Sequence, residues 1–134
     1  MSEENAEILR AFNEAFNNRD FDDSLRYLDP AVEVVPGVRA PDRLDPKLLG
    51  HEGWKEFIRV DIGGWEAATA EPLERIETED GRILSIDLWR LRGREGIEIE
   101  RELPTLYTFR DGLIVRIDGF TEKAEAFEAA GLSA

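Results

Sequence analysis

The longest pattern of alternating apolar and polar positions runs from Thr69 to Thr121 and predicts an antiparallel meander. Its segments are rich in Ile, Val, Leu and aromatic residues, which favour strands. The first segment is more polar than the others and predicts a weaker strand. The four predicted strands are Thr69–Thr78, Arg82–Arg92, Ile97–Phe109 and Leu113–Phe120.

Glycine-containing turns separate these strands. Asp80-Gly81 and Asp111-Gly112 are typical two-residue hairpin turns, because glycine adopts positive φ without a Cβ clash. The segment Gly93-Arg94-Glu95-Gly96 predicts a third, looser turn. The strands should therefore pair with their neighbours in chain order.

Helical spacing of apolar residues occurs on both sides of the meander. Before it, a short β-branched strand at Ala31–Val35 ends at Pro36-Gly37, and Val38–Leu49 is expected to be an irregular surface loop or a lid over a pocket. Pro30 should end the helix that precedes the strand. The predicted helices are Glu3–Asn18, Asp20–Asp29, Gly50–Trp65 and Glu122–Ala130.

This order of elements predicts an α+β domain, with a curved antiparallel sheet and helices packed on its concave face. At 134 residues, the chain 1–134 is expected to be a single domain. Three Trp, two Tyr and seven Phe are available to line a hollow between helices and sheet. We expect an aromatic-lined pocket for a small apolar molecule.

Composition excludes several classes of function. The net charge of −13 argues against nucleic acid and anionic membranes as partners, since both attract clustered Lys and Arg. The chain has no cysteine and one histidine, His51, so no metal site is expected. There is no apolar segment of membrane-spanning length and no signal-peptide pattern, which favours a cytoplasmic protein.

Two aspartates interrupt the apolar strands and are the candidate catalytic residues. Asp87 lies in mid-strand beside Trp89, where aspartate is disfavoured, and Asp118 lies near the end of the last strand. A carboxylate turned into an apolar hollow has a raised pKa, which suits proton transfer near neutral pH. Alternation does not decide which face Asp118 takes, and either aspartate could instead form an outward ion pair. If Asp118 is catalytic, Asp118→Asn should remove turnover.

Other residues are candidates for binding a substrate. Arg101 shares the more apolar face of its strand and would need a buried carboxylate partner there, with Asp87 and Asp118 as candidates, or else a structural ion pair at the sheet edge. His51 opens the third helix, where a capping or hinge role competes with a role in the site. The aromatic candidates, which could form core or pocket wall, are Trp54, Phe57, Trp89, Tyr27 and Tyr107.

The chain resembles the SnoaL-like branch of the nuclear transport factor 2-like superfamily, whose fold is a cone, also described as cystatin-like. The likeness covers nearly the whole chain and implies the fold more than the chemistry, since the superfamily includes polyketide cyclases, isomerases, dehydratases, epoxide hydrolases and proteins that only bind. The residues that carry it are Gly50-His51-Glu52-Gly53, Leu91-Arg92-Gly93, Tyr107–Arg116 and Ala126–Leu132.

Within that superfamily, limonene-epoxide hydrolase has two aspartates that match Asp87 and Asp118. Its arginine falls at Ser85, and its water-holding Tyr and Asn fall near Val32 and Val34. Arg101 could stand in for the missing arginine. The departures from the pattern make epoxide hydrolysis the weakest of the implied activities.

The resemblance implies two hypotheses of function. In the first, the protein is a cofactor-independent acid–base enzyme of the isomerase, lyase or cyclase type that acts on an apolar cyclic or carbonyl-bearing substrate. In the second, it is a non-catalytic module that binds a ligand or dimerises. A homodimer through the outer face of the sheet is expected in either case.

Overall fold

A computed structural model describes residues 2–38 and 47–132 of the chain. Its helices are α1 (Ser2–Asn17), α2 (Phe21–Ser24), α3 (Gly50–Phe57) and α4 (Lys123–Ala129). A 3₁₀ turn (Leu25–Tyr27) follows α2, and a π-helical turn (Ile58–Ile62) continues α3. The strands are β1 (Leu28–Val35), β2 (Leu48–Leu49), β3 (Ala67–Glu77), β4 (Ile83–Arg92), β5 (Glu98–Arg110) and β6 (Leu113–Gly119).

The six strands form one curved sheet in the order β2-β1-β6-β5-β4-β3. Strands β3 to β6 pair as the predicted antiparallel meander. The sheet is mixed, because β1 pairs parallel with β6. Turn glycines adopt the expected positive φ, with Gly81 at 86° and Gly112 at 78°. The predicted α+β fold class is confirmed.

The segment before the meander differs from the sequence prediction. Asp20 caps α2 by accepting a hydrogen bond from the Asp23 backbone N–H at 3.3 Å, but the helix does not continue to Asp29. The chain becomes extended at Leu28 instead, where it begins to pair with β6. Pro30 lies in β1 between Leu28 and Glu33, where the pairing is interrupted and no strand N–H is needed.

The connection after β1 was expected to be irregular throughout, but its end forms the two-residue strand β2, which pairs with β1. The lid proposed for Val38–Leu49 falls mainly on residues 39–46, which lie outside the described residues.

Helices cover both faces of the sheet. Helices α1 and α3 pack on the concave face, in a core that includes Leu9, Phe12, Phe16, Trp54 and Tyr107. The expectation that all helices pack there fails for α4. Its Ala126 and Ala130 pack on the convex face against Leu84, Ile86 and Leu106.

In the described part of the chain, no helix is both long and apolar enough to span a membrane.

Candidate functional site

A cavity of about 480 Å³ lies between the concave face of the sheet, helices α1 and α3, and the π-helical turn. Its wall is mostly apolar, with Ala70, Leu91 and Leu103 on the strands. Aromatic rings supply much of the remainder: Phe12, Phe16, Trp54, Phe57, Trp65, Trp89, Tyr107 and Phe120. The predicted hollow is therefore present, and its wall is aromatic as expected.

Trp54 and Phe57 form a fixed part of this wall. Their rings stack with centroids 5.2 Å apart. The Trp54 indole N–H donates to Ser24 Oγ at 2.9 Å, and that hydroxyl donates to the Phe21 carbonyl at 2.6 Å. Because the buried indole donor is satisfied from α2, the ring presents only apolar surface to the cavity.

Asp87 lies on the concave face, in the layer directly beneath the cavity lining. It pairs across the sheet with Leu103, which lines the cavity, and shares a strand face with Trp89. The residue is only 2% exposed, and Ser85 Oγ donates to Asp87 Oδ1 at 2.7 Å. Burial raises the pKa of Asp87, and the Ser85 hydrogen bond and the charge of Arg75 offset only part of this effect.

An arginine from the neighbouring strand reaches Ser85, the position where the comparison with limonene-epoxide hydrolase lacks one. Arg75 lies directly across from Ser85, and its Nε donates to Ser85 Oγ at 3.1 Å. Its Nη2 donates to Asn13 Oδ1 at 2.9 Å, and Asn13 Nδ2 donates to the Ala70 carbonyl at 3.0 Å. This part-buried polar network joins α1 to the sheet and holds Asp87 from one side through Ser85.

Tyr107 lies at the same end of the cavity as this network. The residue is 8% exposed and lines the cavity, and among the described residues no hydrogen bond reaches its hydroxyl. Burial, followed by the negative charge of Asp87, raises the pKa of Tyr107. Tyr107 is therefore a neutral phenol whose hydroxyl has no hydrogen-bond partner among the described residues.

Asp118 lies on the convex side of the sheet, opposite to the cavity. Alternation along the sequence did not decide which face of β6 it takes. Asp118 pairs across strands with Leu106, a core residue of the convex face. Arg116 Nε donates to Asp118 Oδ2 at 2.8 Å, and Arg116 Nη1 donates to Glu33 Oε1 at 2.8 Å. Asp118 is thus held in an ion pair away from both the cavity and Asp87, so the geometry gives it no part in a shared acid–base site.

Arg101 lines the cavity but is not buried, which corrects the expectation of a buried ion pair. It lies opposite Trp89 in the β4–β5 register and is exposed at the cavity mouth. Within residues 2–38 and 47–132, it pairs with neither Asp87 nor Asp118 nor any other carboxylate. The arginine that bonds Ser85 is Arg75, not Arg101.

Tyr27 and His51 are not among the cavity-lining residues, although both were candidates. Tyr27 lies in the 3₁₀ turn, half-buried beside the core, with the Arg26 guanidinium 5.9 Å from its ring centroid. His51 Nε2 donates to the Leu28 carbonyl at 2.9 Å and ties the start of α3 to β1. His51 thus has a structural contact outside the cavity, but it does not cap the helix, because no side chain that the structure describes caps the start of α3.

Three polar residues near the site were missed: Asn13, Arg75 and Asp61, which lines the cavity. Asn13 follows the apolar Phe12 on α1 and stands four residues before Asn17, which also donates to the Ala70 carbonyl. That spacing of two amides on a helix was a usable signal. Arg75 gave no signal, because an irregularity in β3 determines its direction.

The described residues contain no group of three Asp, Glu or His side chains placed to hold a metal ion. The cavity can enclose an apolar ring system against its aromatic wall, with the buried Asp87 carboxyl group in the layer beneath the lining.

Comparison with protein families identifies a SnoaL-like domain over residues 9–117. Comparison with curated protein sequences finds no match.

Solved structures with the same fold cover almost all of the chain. TerC, co-crystallised with polyporic acid, is 26% identical with a TM-score of 0.78, over 95% of this chain and 97% of that one. A Burkholderia pseudomallei NTF2-like protein of unknown function is 25% identical with a TM-score of 0.77, over 95% of this chain and 97% of that one. A Mycobacterium tuberculosis protein in complex with estradiol-17beta-hemisuccinate is 16% identical with a TM-score of 0.74, over 87% of this chain and 92% of that one.

Proposed function

Because the chain belongs to the SnoaL-like family, we propose that it binds a small, largely apolar, ring-bearing molecule in the cavity of the concave face. The observation that carries this proposal is the cavity itself. Its volume of about 480 Å³ lies within the usual range for ligand sites, and its wall is aromatic. The polyporic acid and estradiol ligands of TerC and the Mycobacterium tuberculosis protein are ring-bearing molecules, which supports the same class of ligand here.

A fluorescence titration with the neutral probe N-phenyl-1-naphthylamine tests this proposal. Leu103→Trp fills the cavity from β5 and should weaken binding by about tenfold or more, since tenfold corresponds to ~1.4 kcal/mol.

The matched control is Leu88→Trp, on the other face of the neighbouring strand, where Leu88 pairs with Glu102. This variant should bind the probe as the parent does. Equal affinities for the parent and Leu103→Trp, or an equal loss in both variants, would show that the probe binds elsewhere.

The second candidate is cofactor-independent acid–base catalysis of the isomerase, lyase or cyclase type, and the raised pKa of Asp87 favours it. This hypothesis requires the Asp87 carboxylate, which lies beneath the cavity lining, to reach the ligand. The carboxylate would then take a proton from carbon next to a carbonyl, while the Tyr107 hydroxyl donates a hydrogen bond to the enolate oxygen. Asp87 acts alone, because Asp118 is paired with Arg116 on the other face.

Exchange of the α-protons of 2-tetralone in deuterated buffer, followed by NMR, tests this chemistry. Asp87→Asn should slow exchange by about a hundredfold or more, as expected for the loss of a general base. Asp118→Asn should exchange at the parent rate, which reverses the expectation from the sequence. A parent protein no faster than buffer, or an Asp87→Asn variant as fast as the parent, would exclude the catalytic hypothesis.

Epoxide hydrolysis has no comparable support. Val32 and Val34 are buried apolar residues of the core, where limonene-epoxide hydrolase was expected to have its water-holding Tyr and Asn.

A further inference from the structure

The guanidinium group of Arg101 differs in its surroundings from those of Arg90 and Arg116, the strand arginines that form ion pairs on the convex face. On the convex face, Arg90 bonds Glu71 at 2.7 Å and Glu100 at 3.1 Å, and Arg116 bonds Asp118 and Glu33. Arg101 lines the cavity mouth and forms no ion pair in the described part of the chain. It is an exposed cation beside a mostly apolar wall.

The strand register explains why Arg101 lacks a partner. Its neighbours Glu100 and Glu102 point to the convex face, where Glu100 bonds Arg90 and Glu102 bonds Lys123 at 3.1 Å. Across the strand pair, Arg101 meets Trp89. Asp61 also lines the cavity, but Arg101 forms no ion pair with it among the contacts of the described residues.

We infer that the cavity's ligand carries an anionic group, such as a carboxylate, which Arg101 binds at the mouth while the ring body lies inside. This inference rests on the proposed ligand-binding function and adds the charge class of the ligand. A guanidinium group binds a carboxylate through two parallel hydrogen bonds. The net charge of −13 repels anions at long range, so the local cation has to supply the attraction.

Two probes with shared rings separate the charge from the apolar contact. 8-Anilinonaphthalene-1-sulfonate has the rings of N-phenyl-1-naphthylamine and an added sulfonate. Arg101→Gln should weaken binding of the sulfonate probe by about tenfold or more, the effect of losing a charge-assisted hydrogen bond. Binding of the neutral probe should change by less than about twofold, because Gln keeps part of the aliphatic stem.

Arg90→Gln is the matched control, since it removes one arginine from the convex face of the adjacent strand. It changes the net charge equally and should leave both affinities at the parent value. Arg101→Lys should lie between Arg101→Gln and the parent for the sulfonate probe.

An equal loss of affinity for both probes in Arg101→Gln would mean that Arg101 contributes only as part of the cavity wall. An unchanged affinity for the sulfonate probe would mean that the anionic group binds elsewhere. Either result overturns the inference but leaves ligand binding intact. If the neutral probe does not bind the parent protein at all, the proposed function fails, and the inference fails with it.

Discussion

Asp87 is the residue on which the chemistry of the site depends. Its side chain is buried on the concave face and accepts a hydrogen bond from Ser85. Burial raises its pKa because the charged form loses hydration that one hydroxyl and the charge of Arg75 do not replace. The folded state therefore holds the proton more tightly than the unfolded chain does.

Asp87→Asn should stabilise the protein at neutral pH and leave its stability unchanged in acid. Below the unfolded pKa of about 3.9, Asp87 is protonated in both the folded and the unfolded state, so its burial does not lower the stability. As the pH rises through the raised folded pKa, the parent loses stability, whereas the Asn variant does not. Thermal unfolding of both proteins from pH 4 to pH 8 should show the Tm of Asp87→Asn rising above that of the parent as the pH increases. For a chain of this length, each kcal/mol of added stability raises Tm by about 3–5 °C.

The control for this prediction is Asp118→Asn, which breaks a partly exposed ion pair with Arg116. It should lower stability by less than about 1 kcal/mol. A lower Tm for Asp87→Asn across the whole pH range would mean that the carboxylate is stabilised in its charged form, contrary to the burial argument.

A candidate site residue could be recognised from the sequence where it broke a local propensity rule. Asp87 broke the rule against aspartate in mid-strand and so marked a candidate site, although the sequence left its face open and placed Trp89 only on the same face as Asp87. The inward face of Tyr107 followed from alternation along β5. Asp118 was not predictable, because both faces of β6 carry apolar residues and both are covered, one by α1 and α3 and the other by α4.

Among the elements, the bulge in β3 matters most to the site. The pairing with β4 shifts between Pro72 and Glu74, so Leu73 is the extra residue and is 48% exposed. Because side chains alternate along a strand, one extra residue moves Arg75 to the same face as Ala70. Strict alternation predicts the opposite face for Arg75, which is why the sequence did not reveal it.

A close approach of two glycines fixes the end of β6 against the chain that leaves β1. A Cβ on Gly119 would lie 2.5 Å from the Gly37 backbone nitrogen, and both glycines line the cavity. Gly119→Ala should lower the free energy of unfolding by about 1–3 kcal/mol, because the backbone has to move apart.

Gly64→Ala is the matched control, since a Cβ there meets no atom within 4 Å. Urea unfolding should give this variant the parent stability or a gain of less than about 1 kcal/mol. The close approach would not be a constraint if Gly119→Ala unfolded at the same urea concentration as Gly64→Ala.

Element boundaries were predictable where local chemistry determines them. The meander, its Asp-Gly turns and the long helices follow from alternation, glycine φ and apolar spacing. The end of α2 and the start of β1 depend on pairing with β6, which is distant in sequence, so local propensity extended the helix too far.

At the scale of the whole molecule, the sheet separates two environments. The concave face holds the cavity, with Arg101 at its mouth and the Asp87 network beneath its lining, while α4 and ion pairs cover the convex face.

The homodimer stays a prediction. Helix α4 already covers part of the convex face of the sheet, through which the dimer is expected to form. A dimer would therefore have to form through the part of that face that α4 leaves uncovered. Sedimentation equilibrium should give twice the 15.2 kDa of one chain, and the mass of one chain would exclude the dimer.

The central claim is that the concave cavity holds an apolar ring-bearing ligand. A crystal structure of the parent protein saturated with N-phenyl-1-naphthylamine tests it most directly. The account predicts ring density inside the cavity, in contact with Phe16, Trp89 and Tyr107. An empty cavity at saturation, with the probe bound only on the convex face or the outer surface, would contradict it.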